Sequence, residues 1–95
     1  MCILSLTYLK GTEEADQYMQ PHLDWLQAGY DRGLFLASGR KVPRTGGVIF
    51  ARGGRAEIEA LVAADPFTLH GVCTYEITEV AVTRVAGGGL DALKS

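Results

Sequence analysis

Two short islands in the chain read as chemistry rather than packing: Pro21-His22-Leu23 and Ala64-Asp65-Pro66-Phe67. Histidine changes charge near neutral pH, so it accepts and returns protons under ordinary conditions. A carboxylate hydrogen-bonded to its ring fixes the tautomer and steadies the imidazolium that forms. If the fold brings His22 and Asp65 together, they make the smallest constellation that does general acid–base work. Each also has a plainer reading. His22 can border the core with its ring satisfied by a backbone carbonyl, and Asp65 can end a helix by capping the turn Pro66-Phe67-Thr68. No other polar cluster of comparable kind stands in the sequence.

The elements that must position this pair are those of a single domain, since the chain has 95 residues. A domain of that size has little stability to spare, which favours burial by self-association. Apolar residues make up 47%, which is too many for a disordered chain. A net charge of −2 leaves no basic stripe for nucleic acid. No apolar run approaches the roughly 20 residues that span a bilayer. The first residues lack a basic stretch followed by an apolar core, so no secretory leader is expected and the chain is placed in the cytoplasm. Cys2 and Cys73 are read as small buried hydrophobes in a reducing compartment. A metal set of Cys2, Cys73, His22 and His70 lacks the close-paired spacing of zinc sites, and no metal is expected.

Cys2–Leu9 alternates as a first strand. Thr12 with Glu13 and Glu14 starts a short turn or helix over Glu13–Met19, and Pro21 starts the main helix, running to Arg32, because proline costs almost nothing at a first helical position. A single kinked helix is the alternative. Leu23, Leu26 and Tyr30 form the apolar stripe, flanked by Tyr18, His22, Trp25 and Gly29. His22 thus borders the buried face in the first turn, where the helix dipole disfavours imidazolium. Gly33 suits the helix end. Leu34–Lys41 reads as a strand covered on both sides, Gly47–Arg52 as a third strand, and Arg55–Ala64 as a second major helix that Asp65-Pro66 terminates. Phe67–Gly71 is a loop or single turn. Thr74–Val85 is a fourth strand whose apolar phase switches near Thr78-Glu79, which predicts a bulge or cover on both faces. Gly87-Gly88-Gly89 opens a tail, mobile or lying on a partner, so the domain is set at 1–86 and the tail at 87–95.

The order is βαββαβ. Right-handed crossovers place both helices on one face of a four-stranded antiparallel sheet, an α+β ferredoxin-like sandwich. The other sheet face is left bare in a monomer, which predicts a homodimer burying it. Trp25, Phe67 and Tyr18 are candidates for an apolar pocket wall, and equally for ordinary core.

Pro21-His22-Leu23, Ala37-Ser38-Gly39, Gly46-Gly47-Val48 and Ala64-Asp65-Pro66-Phe67, followed by Tyr75-Glu76-Ile77, stand in an order that resembles the YciI-like (YCII-related) family to about Val82. The resemblance implies ferredoxin-like protomers paired into a dimeric α/β barrel, with a pocket holding a His–Asp pair. On it, His22 and Asp65 carry over as the catalytic dyad, and Ser38 and Gly39 as pocket wall. Some family members act in aromatic degradation, including a dehydrochlorinase of a chlorinated hydroxyquinol. Where the family often has Gly-Pro, this chain has Gly39-Arg40. Arg40 puts a cation by the pocket that can bind a carboxylate or phenolate, or is a solvated loop charge beside Lys41 and Arg44.

Two readings follow. In the first, His22 moves a proton on a small cyclic or aromatic substrate, with Trp25 and Phe67 among the substrate-binding residues. The step is of lyase, isomerase or hydrolase type, and no cofactor is expected. In the second, the chain is a non-catalytic dimeric ligand-binding or accessory module, and the pair only joins two helices. An RNA-binding module is disfavoured because Val48-Ile49-Phe50-Ala51 lacks the aromatic and basic residues that stack bases.

Overall fold

The structure is a computed structural model and describes residues 1–94; of the tail expected over 87–95, Ser95 lies outside the described residues. The elements are β1 (Cys2–Tyr8), α1 (Thr12–Gln17), α2 (Met19–Asp31), β2 (Phe35–Arg40), β3 (Gly46–Ala51), α3 (Arg55–Ala63), α4 (Pro66–Leu69), β4 (Cys73–Glu79) and a 3₁₀ turn at Leu90–Lys94. They build one antiparallel sheet in the order β2-β3-β1-β4. The ferredoxin-like topology expected from the element order is present.

The chain between β1 and β2 is two helices, not one. Tyr18 leaves helical geometry at φ −107°, ψ 12° and separates α1 from α2. The main helix begins at Met19, two residues before the expected start at Pro21. Proline is tolerated at its third position because the amides of a first helical turn have no partner within the helix. His22 consequently sits fourth in α2, and its amide donates to the Tyr18 carbonyl at 3.2 Å. At the far end, Gly33 takes φ 72°. Its amide bonds Tyr30 O at 2.9 Å and that of Leu34 bonds Gly29 O at 3.0 Å, the paired closure that a left-handed residue after a helix allows.

Cys2, Leu4 and Leu6 of β1, Ile49 and Ala51 of β3, and Phe35 of β2 point under the helices. There they meet Ile58 and Val62 of α3, and Phe67 with Val72 beyond it. Gly29 of α2 has a steric reason: a Cβ there would lie 2.2 Å from the Phe35 ring. Gly46 has another, since its Cβ would lie 1.9 Å from the Leu6 carbonyl oxygen.

Three expectations about the strands are corrected. β2 is one of the two edge strands and not a strand covered on two sides: Phe35 is buried, but Ala37 to Arg40 are exposed. The irregularity lies in β2, between Phe35 and Ala37, and not in β4. β4 stops at Glu79 instead of running to Val85, because Glu79 pairs with Cys2 and Val80 already bonds Met1, so no β1 residue remains to pair with. The phase switch at Thr78-Glu79 marks that end. The sheet face away from the helices carries Ile3, Val48 and Phe50, all half-buried and not bare. The 3₁₀ turn of the same chain contributes Leu90, Ala92 and Leu93 to a hollow shared with Leu36, Ala37 and Phe50. No helix among the described residues is long and apolar enough to cross a membrane.

Candidate active site

Asp65 follows α3 in extended geometry, φ −60°, ψ 127°, and is the N-cap of α4, with Pro66 in the first helical position. Its Oδ1 accepts from the Phe67 amide at 3.0 Å. The capping role read from the sequence is therefore real, and it does not exclude the other. The same Oδ1 lies 2.8 Å from His22 Nδ1. Asp65 is fully buried and His22 is 7% exposed. An ionised carboxylate only accepts, so the contact assigns the proton to Nδ1 and leaves Nε2 as the basic nitrogen. Among the described residues Nε2 has no hydrogen-bond partner, and it is not sealed off, since Arg44 Nε is the one buried side-chain nitrogen or oxygen there without a hydrogen bond.

The imidazole is held in plane as well as in tautomer. It stacks on Phe67 with centroids 4.0 Å apart and planes 2° apart, and on Trp25 at 5.6 Å. Trp25 is anchored by its indole N–H to Leu61 O at 3.1 Å.

The sequence reading missed Tyr75. Its hydroxyl donates to Asp65 Oδ2 at 2.5 Å, so both carboxylate oxygens are engaged. Burial, and then the charge of Asp65, raise the Tyr75 phenol well above its ordinary value, which keeps it a donor. Burial likewise pushes the Cys73 thiol up to about 12, with Asp65 adding to the effect. A signal was present in that Tyr75 alternates with Ile77 toward the helices. Which inward residue meets Asp65 depends on the register Leu6↔Tyr75, which the sequence does not display.

A cavity of about 160 Å³ opens beside His22. Phe67, Leu6, Tyr8, Met19, Leu23 and Leu26 line it, and Ser38, Gly39 and Arg40 form the side toward β2. His22, Phe67, Ser38, Gly39 and Arg40 thus share one space, and Asp65 is buried outside it, reaching it only through the His22 ring. Trp25 does not line it either: it packs behind His22 against Phe35 and Tyr75. Tyr18 also stands outside, stacked on His70 at 4.1 Å. The Ser38 hydroxyl is paired with Tyr30 at 2.7 Å. Cys2 belongs to the core cluster of Leu4 and Ile58, and Cys73 to that of Phe67, so the four-residue metal set considered above is not gathered. Among the described residues no group of three or more His, Cys, Asp or Glu side chains is placed to hold a metal ion.

The sheet order and one-sided helices define an α+β ferredoxin-like protein of the kind found in α/β barrels. The family model of the YCII-related domain matches residues 1–81, and the chain belongs to that family. No curated protein matches the sequence. Among solved structures, the fold is similar to that of 5-chloro-2-hydroxyhydroquinone dehydrochlorinase from Burkholderia phenoliruptrix AC1100 in complex with 2,5-dihydroxybenzoquinone. The TM-score is 0.70 and the identity 16%, over 84% of this chain and 93% of that one. At that identity the likeness carries the fold alone.

Proposed function

We propose that the protein is an enzyme acting on a small cyclic or aromatic molecule, with His22 as general base and acid and Asp65 as its orienting carboxylate. The observation that carries this is the imidazole itself: Nδ1 fixed on Asp65 at 2.8 Å, ring clamped on Phe67, and the remaining nitrogen open beside a cavity. The cavity size suits one ring, since a dry apolar cavity of about 150 Å³ takes up benzene. The relative of known structure is named for a one-ring substrate and holds a one-ring quinone, which supports the same class here. In this reading Nε2 takes a proton from the bound ring or its substituent, and Asp65 steadies the imidazolium until the proton is returned. Phe67, Ser38, Gly39 and Arg40 are assigned to substrate binding, and Trp25 to support from behind the histidine. We assign the functional unit to residues 1–86 and infer that it works as a homodimer through the face bearing Ile3, Val48 and Phe50.

One observation favours the second reading, a non-catalytic ligand-binding or accessory module. Asp65 also ties α4 to β4 through the Phe67 amide and the Tyr75 hydroxyl, as a purely structural carboxylate would.

The test uses 2,5-dihydroxybenzoquinone as binding probe and 5-chloro-2-hydroxyhydroquinone as trial substrate, with chloride release as readout. Binding is expected to perturb the His22 ring resonances, and His22→Ala to lower chloride release about 10²–10⁴-fold with the fold intact. Binding that leaves His22 untouched, or turnover that survives its removal, overturns the acid–base role. Binding without turnover of this or any related ring supports the second reading.

A further inference from the structure

Among the described residues the cavity beside His22 has one lining residue that carries a permanent charge, Arg40, and no Asp or Glu in its wall. Register puts Arg40 there. Arg40 pairs with Gly47 across β2–β3, and Gly47 pairs with Leu6 across β3–β1. Residues directly opposite in a sheet share a face, so Arg40 leaves the sheet on the same side as Leu6, under the helices. Between them Gly47 has no side chain, and a Cβ there would lie 2.9 Å from the Gly39 carbonyl oxygen. The row Leu6–Gly47–Arg40 is therefore a floor with an apolar end, a gap and a cationic end.

The neighbouring cations are already engaged. Lys41 Nζ donates to Thr7 Oγ1 at 3.0 Å. Arg44 pairs with Asp16 at 2.7 Å and lies over the Tyr8 ring at 5.8 Å. The Arg44 hydrogen bond holds the Asp16 carboxyl below its ordinary value. Among the described residues Arg40 makes no hydrogen bond and no ion pair, although it lies in the influence of Asp16. A guanidinium is a planar fork of donors suited to two oxygens at once.

Resting on the reading of this cavity as the ligand site, we propose that its ligand is a one-ring oxyanion, a carboxylate or phenolate. Arg40 holds the charge and the ring lies over the apolar floor toward His22. The guanidinium sets which way round the ring enters, and so which ring position meets Nε2. A neutral ring of the same shape fits the cavity but leaves Arg40 without a partner.

The test compares benzoate, 4-nitrophenolate and the neutral benzamide by titration followed in ¹H–¹⁵N and imidazole spectra, on the whole chain. At least one oxyanion is expected to bind ten-fold or more tighter than benzamide and to move His22 signals. The preference is expected to fall with added salt, and to be lost in Arg40→Gln but partly kept in Arg40→Lys. Which oxyanion binds tighter separates carboxylate from phenolate. Equal binding of benzamide, unchanged affinity in Arg40→Gln, or no binding of either oxyanion at millimolar concentration overturns the proposal. Arg40 is exposed and unpaired, so its variants are expected to fold as the parent does. If Arg40→Gln binds normally while His22→Ala loses turnover, the anion proposal fails and the acid–base reading stands. If the oxyanion preference survives in a chain whose chloride release ignores His22, the converse holds.

Discussion

Tyr75→Phe isolates the hydrogen bond that the sequence did not reveal. The substitution removes one oxygen and keeps the ring against Trp25, so it opens no cavity. What it takes away is the donor to Asp65 Oδ2 at 2.5 Å, leaving that oxygen of a fully buried carboxylate unpaired. A hydrogen bond to a charged group contributes about 1.5–3 kcal/mol, so a loss of about 2 kcal/mol is expected at pH 7. For a domain of this size that is a drop of roughly 10 °C in Tm. The phenol also makes the difference depend on pH. Its folded pKa is raised above the ordinary 10.0, so its stabilisation is full below that pH and declines above it, where the unfolded chain releases the proton and the folded one holds it. The parent then loses about 1.4 kcal/mol per pH unit from this group, and the variant loses none. The gap should close near pH 11.5 or so by this arithmetic. Cys73, raised for a similar reason, titrates in both proteins and cancels in the comparison. Urea denaturation of parent and variant at pH 7, 9 and 11 measures the gap. A gap that stays constant to pH 11, or one below about 0.5 kcal/mol at pH 7, refutes the assignment of Tyr75 as a buried protonated donor.

Gly29→Ala sets two effects against each other. Alanine favours the helix by about 1 kcal/mol, but its Cβ meets the buried Phe35 ring at 2.2 Å, and overpacking costs about 1–3 kcal/mol. Net destabilisation is expected in urea melts, and a more stable variant would show that the ring moves aside freely. Sedimentation at low micromolar concentration is expected to show a dimer that Phe50→Asp dissociates. Monomer alone in the parent contradicts the assigned interface.

The pairing of His22 with Asp65 was legible because both residues lie near where a helix starts or stops, and proline marks each place. Pro21 precedes His22 and Pro66 follows Asp65, so each side chain could be put on a helix boundary before any packing was known. The main helix was read two residues late, since proline at a third position leaves the same mark as proline at a first. Trp25 shares a helix face with His22, three residues on. Its indole turns instead to Leu61 O, because spacing names the buried face of a helix but not the neighbour that a long side chain finds there. The end of β4 was hidden for a different reason. A strand stops where its partner stops, and that limit lies in β1, at Cys2, and not in the residues after Glu79.

Tyr75 and Asp65 together decide which variants can separate chemistry from folding. One carboxylate receives the histidine, the Phe67 amide and the tyrosine, so removing it strips three buried donors at once, each costing about 1–3 kcal/mol when left unpaired. Against a total stability of about 5–15 kcal/mol, Asp65→Ala can unfold the domain without informing on catalysis. Asp65→Asn keeps the shape and one accepting oxygen, but it offers an amide donor where the carboxylate offered an oxygen, to either His22 or Tyr75. The contributions of the three contacts are therefore not additive, and no single Asp65 variant divides them. His22 and Arg40 are separable in a way Asp65 is not. Each lines the cavity and carries a group without a hydrogen-bond partner among the described residues, Nε2 in one case and the guanidinium in the other, so each can be changed while the carboxylate keeps its ties to α4 and β4.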